Sequence, residues 1–356
     1  MKINEIMNNM KVDAIYVTSI INIRFLTKFS GSEAKLICLK NKMILLVDSR
    51  YYTQAKKQCH ECDVQLIEPK NLFTKIAELI KEYYIKNLGI EEDNMVVQDY
   101  FILNNFMNNN SINTKLLPLS LNKIRMIKSD EEIATIKKAC HITDKAYEHI
   151  YKFIKPGISE KEVVNEMYRY CLDFGVDGLA FNIIVASGVR SSMPHGVATD
   201  KLIEENDFVT IDFGIIYQGY CSDYTRTFSI GNNPPKKLVE IYHIVQEAQK
   251  LAIKNIKPGA KCNEIDKIAR DYIEKFGYQD YFKHGLGHSF GLEIHEAPYL
   301  NPTDETVLQP GMIITIEPGI YLPNIGGVRI ENDILVTENG YENLTNLSTD
   351  LLKINN

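Results

Sequence analysis

The chain has 356 residues, 45% of them hydrophobic and 24% charged, with a formal net charge of −6. That length exceeds one ordinary core and implies two domains of a soluble globular protein. The mild acidity, with no basic stripe, argues against nucleic acid as a partner, and the longest apolar run, Met43–Val47, is far too short to cross a membrane.

The opening MKINEIMNNMKVDAIYV has no continuous apolar segment of the kind that directs secretion, so a cytoplasmic location is expected. Residues 13–19 and 35–49 read as strands, the second a hairpin turning near Asn41. Residues 50–60 and 71–87 read as helices, and 88–93 and 114–120 as further strands. The asparagine-rich 104–113 reads as a turn or helix end. Seven scattered cysteines fit reduced thiols. Cys59 and Cys62 form one CxxC, but no second pair stands nearby to complete a zinc site, and they read as two unconnected thiols.

The character changes at residue 122, which divides a smaller α/β domain, 1–121, from a second domain, 122–356. Ser129 followed by Glu132 is a capping box opening a helix that Pro156-Gly157 stops. A repeat then emerges. Residues 155–176 align without a gap on 257–278, matching Pro156 with Pro258, Gly157 with Gly259, Glu162 with Glu264, Tyr170 with Tyr272 and Phe174-Gly175 with Phe276-Gly277. The second domain is therefore expected to be two related α+β halves.

Each half carries an acid near the end of an apolar strand: Asp212 in VTIDFG and Glu317 in ITIEPG, 105 residues apart. A second strand with its own acid follows each. A turn centred on Tyr217-Gln218 would set Asp212 opposite Asp223, and one centred on Asn324 would set Glu317 opposite Glu331. Four converging carboxylates require cations. Between the halves, KHGLGHSFGLEIHEAP supplies His284, His288 and His295, and His195 precedes the first acid strand. Four carboxylates with an imidazole suit two divalent ions; the oxygen-rich set leans to Mn²⁺, while Co²⁺, Zn²⁺ and Fe²⁺ also fit. Such a pair makes a hydrolase site.

The motifs PHG (194–196), DFG (212–214), SDYTRTF (222–228), HGLGHSFGLEIHE (284–296), EPGIY (317–321) and GGVRIEN (326–332) follow in order. The second domain thereby resembles the pita-bread metallopeptidases: aminopeptidase P, prolidase and methionine aminopeptidase. The first ~120 residues resemble the small domain of aminopeptidase P, prolidase and creatinase, which methionine aminopeptidases lack. The resemblance implies an α+β fold: duplicated halves around a curved antiparallel sheet, with a smaller N-terminal α/β domain. It implies that Asp212 binds one metal, His288 and Glu317 the other, and that Asp223 and Glu331 bridge. It implies substrate-binding and proton-handling roles for His195, His284 and His295, and a supporting role for Arg329 at the metal or substrate end. Glu317 is then placed to take the proton of the attacking water, with His295 or His195 on the oxyanion.

The implied reaction is hydrolysis of Xaa-Pro bonds at peptide N-termini. An Xaa-Pro aminopeptidase is the leading expectation, an Xaa-Pro dipeptidase restricted to dipeptides the alternative, and a non-catalytic peptide-binding protein on the same fold the rival of another class. The substrates would be small peptides with proline second. A homodimer is expected, because in relatives the small domain closes over the neighbour's active site and SRYYTQAKK (49–57) offers candidate interfacial tyrosines.

Overall fold

Short apolar strands and amphipathic helices alternate from the start of the chain. The computed structural model describes residues 2–355, and the chain forms two compact units, Met1–Ile124 and Arg125–Asn356. In the first unit the order is α1 (Lys2–Met10), β1 (Ala14–Val17), α2 (Ile20–Thr27), β2 (Lys35–Leu39), β3 (Lys42–Val47), α3 (Tyr52–Gln58), β4 (Cys62–Leu66), α4 (Leu72–Glu82), β5 (Asn87–Glu91), α5 (Val97–Asn109) and β6 (Lys115–Leu119). The strands form one mixed sheet in the order β4-β3-β2-β1-β5-β6. Its two faces carry separate apolar clusters, one around Ile15, Leu36 and Leu45, the other around Tyr16, Ile37 and Ile44, as the period of two along a strand requires.

The expected hairpin turns at Lys40-Asn41 between β2 and β3. The asparagine-rich stretch departs from the expectation: most of it lies inside α5. Leu103 and Met107, one helical turn apart, are buried, while Asn105, Asn108 and Asn109 face solvent. Packing of that apolar stripe overrides the poor helix propensity of asparagine. Cys59 caps the C-terminal end of α3 and Cys62 opens β4, both as free thiols.

The second unit runs α6 (Asp130–Phe153), α7 (Glu160–Leu172), β7 (Gly178–Leu179), β8 (Ile184–Ser187), β9 (Phe208–Phe213), β10 (Ile215–Tyr217), β11 (Tyr220–Cys221) and β12 (Tyr224–Ile230). The second half follows as α8 (Lys236–Lys254), α9 (Cys262–Lys275), β13 (Gly287–Ser289), β14 (Glu296–Leu300), β15 (Ile313–Ile316), β16 (Gly319–Leu322), β17 (Gly326–Arg329), β18 (Asn332–Thr337), β19 (Gly340–Asn343) and β20 (Lys353–Ile354). Helices α6 and α7 share a core with β8, β9 and β12, and α8 and α9 share one with β15 to β18.

The two halves repeat one another in their hydrogen bonds. Gly157 N–H donates to Ile203 O at 2.8 Å, and Gly259 N–H to Leu308 O at 2.9 Å; Ile203 N–H returns to Ile158 O, and Leu308 N–H to Ala260 O, both at 2.8 Å. Gly157 and Gly259 both hold positive φ, 91° and 89°, a conformation that favours glycine. The halves join where Glu331 N–H donates to Thr225 O at 3.1 Å and Thr227 Oγ1 donates to Arg329 O at 2.9 Å. The pairings within the two halves are antiparallel except for β12 with the terminal β20. Among the described residues, no helix is long and apolar enough to cross a membrane.

The capping box at Ser129 and Glu132 opens α6, and a second one, Ser159 with Glu162, opens α7. Each serine accepts a backbone N–H that would otherwise go unpaired. Ser129→Ala and Ser159→Ala should each cost about 1 kcal/mol, read as a lower urea midpoint at unchanged slope.

Candidate metal centre

The acid-bearing strands meet at the join between the halves. In the second half the expected register holds. Ile316 faces Asn332 at the end of one ladder and Gly319 faces Arg329 at the start of the next, so Glu317 and Glu331 stand opposite one another between them. Asn324, at φ 62°, lies in the tip of that hairpin.

In the first half the register differs from expectation. Asp212 pairs with Thr225, not with Asp223. The turn centres on Gln218-Gly219, whose φ values of 49° and 82° are both positive. A two-residue hairpin turn of that hand matches strand twist, and glycine at its second position makes it accessible. Asp223 therefore sits diagonally from Asp212, two residues before Thr225 and outside the paired strand.

Asp223, His288 and Glu331 each offer a ligand atom, all within 4.8 Å of one another. His288 Nε2 lies 3.5 Å from Asp223 Oδ2 and 3.5 Å from Glu317 Oε1. Its Nδ1 is 3.1 Å from Ser289 O, which fixes the tautomer that leaves Nε2 free to ligate. Asp212 is tied in from the other side. Arg329 donates from Nη2 to Asp212 Oδ2 at 2.7 Å, from Nε to Thr225 Oγ1 at 2.9 Å, and from Nη1 to Tyr321 OH at 2.9 Å and Pro194 O at 3.2 Å. Thr225 Oγ1 in turn donates to Glu331 Oε2 at 2.8 Å.

All five expected ligands, with His195, His284, His295 and Arg329, line one cavity of about 1120 Å³. His284 Nε2 is 3.0 Å from the Tyr321 hydroxyl and its Nδ1 2.8 Å from Gly285 O. The His288 and His295 rings stand 4.5 Å apart. His195 is exposed at the cavity wall.

The electrostatics show what the acids lack. Burial and then the charge of Glu331 push Asp223 well above the usual carboxylate range; burial and then Glu317 do the same to Glu331. Burial lifts Glu317 to about 8. Burial lowers His284 and His288 to about 4, keeping both neutral. Asp212 Oδ1 is buried with no hydrogen-bond partner among the described residues. Four acids share one arginine and neutral imidazoles. Buried carboxylates pushed toward protonation for want of positive charge, and a histidine presenting a lone pair, fit divalent cations.

Sequence reasoning missed several residues here. Tyr321 bridges His284 and Arg329; it lies four residues beyond Glu317, on the same strand face by the period of two. Asp333 accepts Asp223 N–H at 3.3 Å and the Cys140 thiol at 3.2 Å. Lys128 Nζ joins Ser289 Oγ at 2.9 Å to Glu296 Oε2 at 3.1 Å, pinning the neighbours of His288 and His295. Arg270 of α9 holds Phe282 O and His284 O, both at 3.0 Å. Gly287 has no room for a side chain: a Cβ would lie 2.0 Å from Thr315 O.

This fold and this ring of carboxylates define a dinuclear-type metallohydrolase centre. Residues 134–338 match the model of metallopeptidase family M24, and residues 1–127 that of the creatinase/prolidase N-terminal domain. The chain belongs to metallopeptidase family M24. It is similar to the Xaa-Pro dipeptidase of Pyrococcus furiosus, at 41% identity over 356 residues, 99% of this chain and 98% of that one. It is also similar to the solved Xaa-Pro dipeptidase from Bacillus anthracis, at 42% identity and a TM-score of 0.94, covering 99% of this chain and 98% of that one. The X-Pro aminopeptidase from Thermotoga maritima matches at 33% identity and a TM-score of 0.88, covering 98% and 99%.

The raised carboxylates set a pH signature for the metal-free protein. A group protonated in the folded state above its unfolded pKa stabilises below that pKa and loses the contribution as pH rises. Glu317 thus loses its contribution between about 4.5 and about 8. The two histidines work oppositely, but theirs is complete above about 6.5. The chelated protein should therefore melt at progressively lower temperature from pH 6.5 to 8.5. Saturating Mn²⁺ should abolish that decline, because it favours the ionised cluster. Calorimetric melts across that range, with and without chelator, check both.

Proposed function

We propose that the chain is a divalent-metal-dependent Xaa-Pro dipeptidase. The observation that carries the reading is the convergence of Asp212, Asp223, Glu317 and Glu331 with His288 on one cavity. Its particular form is supported by the relatives named Xaa-Pro dipeptidase at about equal identity across the whole chain, which favours it over the aminopeptidase expected from the motifs.

Asp212, Asp223, His288, Glu317 and Glu331 would hold two ions, Mn²⁺ by the oxygen-rich donor set. When bound, such ions polarise a carbonyl and make water nucleophilic near neutral pH. The chain's own residues supply the rest. Glu317 receives the proton of the attacking water and returns it to the departing proline nitrogen. That nitrogen belongs to a tertiary amide with no N–H, so the site needs no acceptor for one. His295 beside His288, and His195 at the wall, donate to the developing oxyanion. Arg329 orients Asp212, and Tyr321 fixes His284 against it.

Phe181, Ile184, Ile294 and Tyr281 give the cavity apolar wall for a pyrrolidine ring. Arg329 is committed to four bonds. Among the described lining residues, Lys283 is the other cation besides histidine, and its side chain is exposed. It is the group to meet the free carboxylate of a dipeptide.

Metal-loaded enzyme should cleave Xaa-Pro at least tenfold faster than Xaa-Pro-Yaa at equal concentration. Equal rates would return the reading to an aminopeptidase, and metal uptake without turnover of either would make it a peptide-binding protein. Lys283→Met should raise KM for Xaa-Pro about tenfold, the worth of one charged contact, and leave KM for the corresponding amide unchanged. Glu331→Ala should abolish turnover and remove most of the metal-dependent rise in melting temperature.

A further inference from the structure

The repeat extends to two buried side chains outside the carboxylate ring. Tyr147 on α6 and Gln249 on α8 occupy matching positions: each lies ten residues before the glycine of its half's Pro-Gly pair, Gly157 and Gly259. Both are almost wholly buried, at 0% and 1% exposure. The Tyr147 hydroxyl donates to Ile211 O at 2.8 Å and Tyr224 O at 2.9 Å, sharing one proton between them. Gln249 Nε2 donates to Ile316 O and Ile330 O, each at 3.1 Å.

The four carbonyls are equivalent by strand register. Ile211 and Tyr224 immediately precede the facing pair Asp212 and Thr225. Ile316 and Ile330 immediately precede the facing pair Glu317 and Glu331. In each half, then, one side chain from the first helix straddles the two acid-bearing strands at the peptide units leading into the site. In the second half this falls where the ladder is interrupted, between Ile316↔Asn332 and Gly319↔Arg329. There a single long backbone bond, from Ile330 N–H to Pro318 O at 3.5 Å, crosses the gap, and the amide of Gln249 adds two more.

We propose that Tyr147 and Gln249 are paired positioning residues that set the separation of the carboxylate-bearing strands, and so the affinity and geometry of the metal site. The chemistry differs between the halves. A carboxamide has two N–H bonds and serves both carbonyls fully; a phenol has one and serves two at a discount. Loss of the Gln249 donor leaves Ile330 O, which faces Pro318 and so has no backbone N–H across the gap, without its proton; loss of the Tyr147 hydroxyl removes a second bond from carbonyls of strands that stay paired. The facing acids stand one residue along. Gln249 acts on Glu317 and Glu331, Tyr147 on Asp212 and on Asp223 beside Tyr224.

The inference rests on the reading of these acids as metal ligands. Its test is Co²⁺ binding by titration calorimetry together with the visible Co²⁺ spectrum, in wild type, Tyr147→Phe and Gln249→Met. Both substitutions nearly preserve volume; Tyr147→Phe removes the hydroxyl, and Gln249→Met removes the donor together with Oε1, which is buried without a hydrogen-bond partner among the described residues. Gln246→Met is the control: Gln246 lies on α8, three residues earlier, and donates to Thr349 O at 2.7 Å and Asp350 Oδ1 at 2.9 Å, neither of them in the cavity. Gln249→Met should weaken Co²⁺ binding tenfold or more and alter the spectrum. Tyr147→Phe should weaken it by a smaller factor of three to ten. Gln246→Met should lower the melting temperature yet keep wild-type affinity and spectrum. If wild type binds Co²⁺ and a folded Gln249→Met variant matches it within threefold with the same spectrum, this inference falls and the metal reading stands. If Tyr147→Phe does not fold, Gln249→Met decides alone. If wild type takes up no Co²⁺, the metal reading falls and takes this inference with it.

Discussion

Repulsion among four carboxylates is the constraint around which the second unit is built. Asp212, Asp223, Glu317 and Glu331 face one cavity with a single arginine between them. Burial raises Asp223 and Glu331 well above the usual range and holds His284 and His288 neutral, so the imidazoles bring no compensating charge. An arrangement this unfavourable persists only when its surroundings over-determine it. The surroundings do so through the backbone. Arg226, itself buried, spreads its guanidinium over Thr225 O, Glu331 O and Asn332 Oδ1, fastening both strands from below. Lys128 and Arg125 do the same for the histidine segment through Glu296 and Glu293. Each of these groups is satisfied, and that is what lets a charged network be buried without becoming the weak point.

Duplication explains why acids recur, and divergence explains why the halves are not interchangeable. By register the counterpart of Glu331 in the first half is Thr225, not Asp223. The acid has moved two positions along the chain, onto the same side of the strand, and Thr225 has become the hydroxyl linking Arg329 to Glu331. By the same count Asp223 is the counterpart of Arg329, so one half carries an acid where the other carries the arginine. Asp223 of the first half lies within reach of His288, which stands equally far, 3.5 Å, from Asp223 and from Glu317 of its own half. Neither half holds a complete set of donors alone.

The sequence made the site more legible than the joints that hold it. Acids at the ends of apolar strands, and three histidines within twelve residues, are chemically conspicuous, and the register of the second hairpin followed from counting outward from Asn324. The first hairpin was misplaced by one residue at its turn, because Gln218-Gly219 is a weaker turn signal than an asparagine-glycine pair. One residue at the turn moves the facing partner by two, which is why Asp223 appeared opposite Asp212. Helix α5 was hidden by its asparagines, since its buried stripe is only Leu103 and Met107. Tyr321, Asp333, Tyr147 and Gln249 were illegible for another reason. A tyrosine in a strand or a glutamine in an amphipathic helix is ordinary composition. Only the three-dimensional register shows that their polar atoms meet the carbonyls and side chains next to the acids.

The same charge balance bears on substrate length. Two divalent ions would cancel the four carboxylates, leaving Arg329 and Lys283 against Asp280 on the cavity wall. Arg329 is enclosed, and four of its five N–H donors go to Asp212, Thr225, Tyr321 and Pro194. Lys283 is exposed, so its cost of meeting a ligand is only side-chain ordering. On the dipeptidase reading proposed above, a dipeptide ending in proline would bring a carboxylate to that side of the cavity and gain an ion pair with Lys283. A longer peptide would bring a neutral amide there and forgo the pair. Asp280, Tyr281 and Lys283 lie on the segment leading into His284, which Arg270 of α9 holds by its carbonyls, so the placement of Lys283 is tied to that of the histidine.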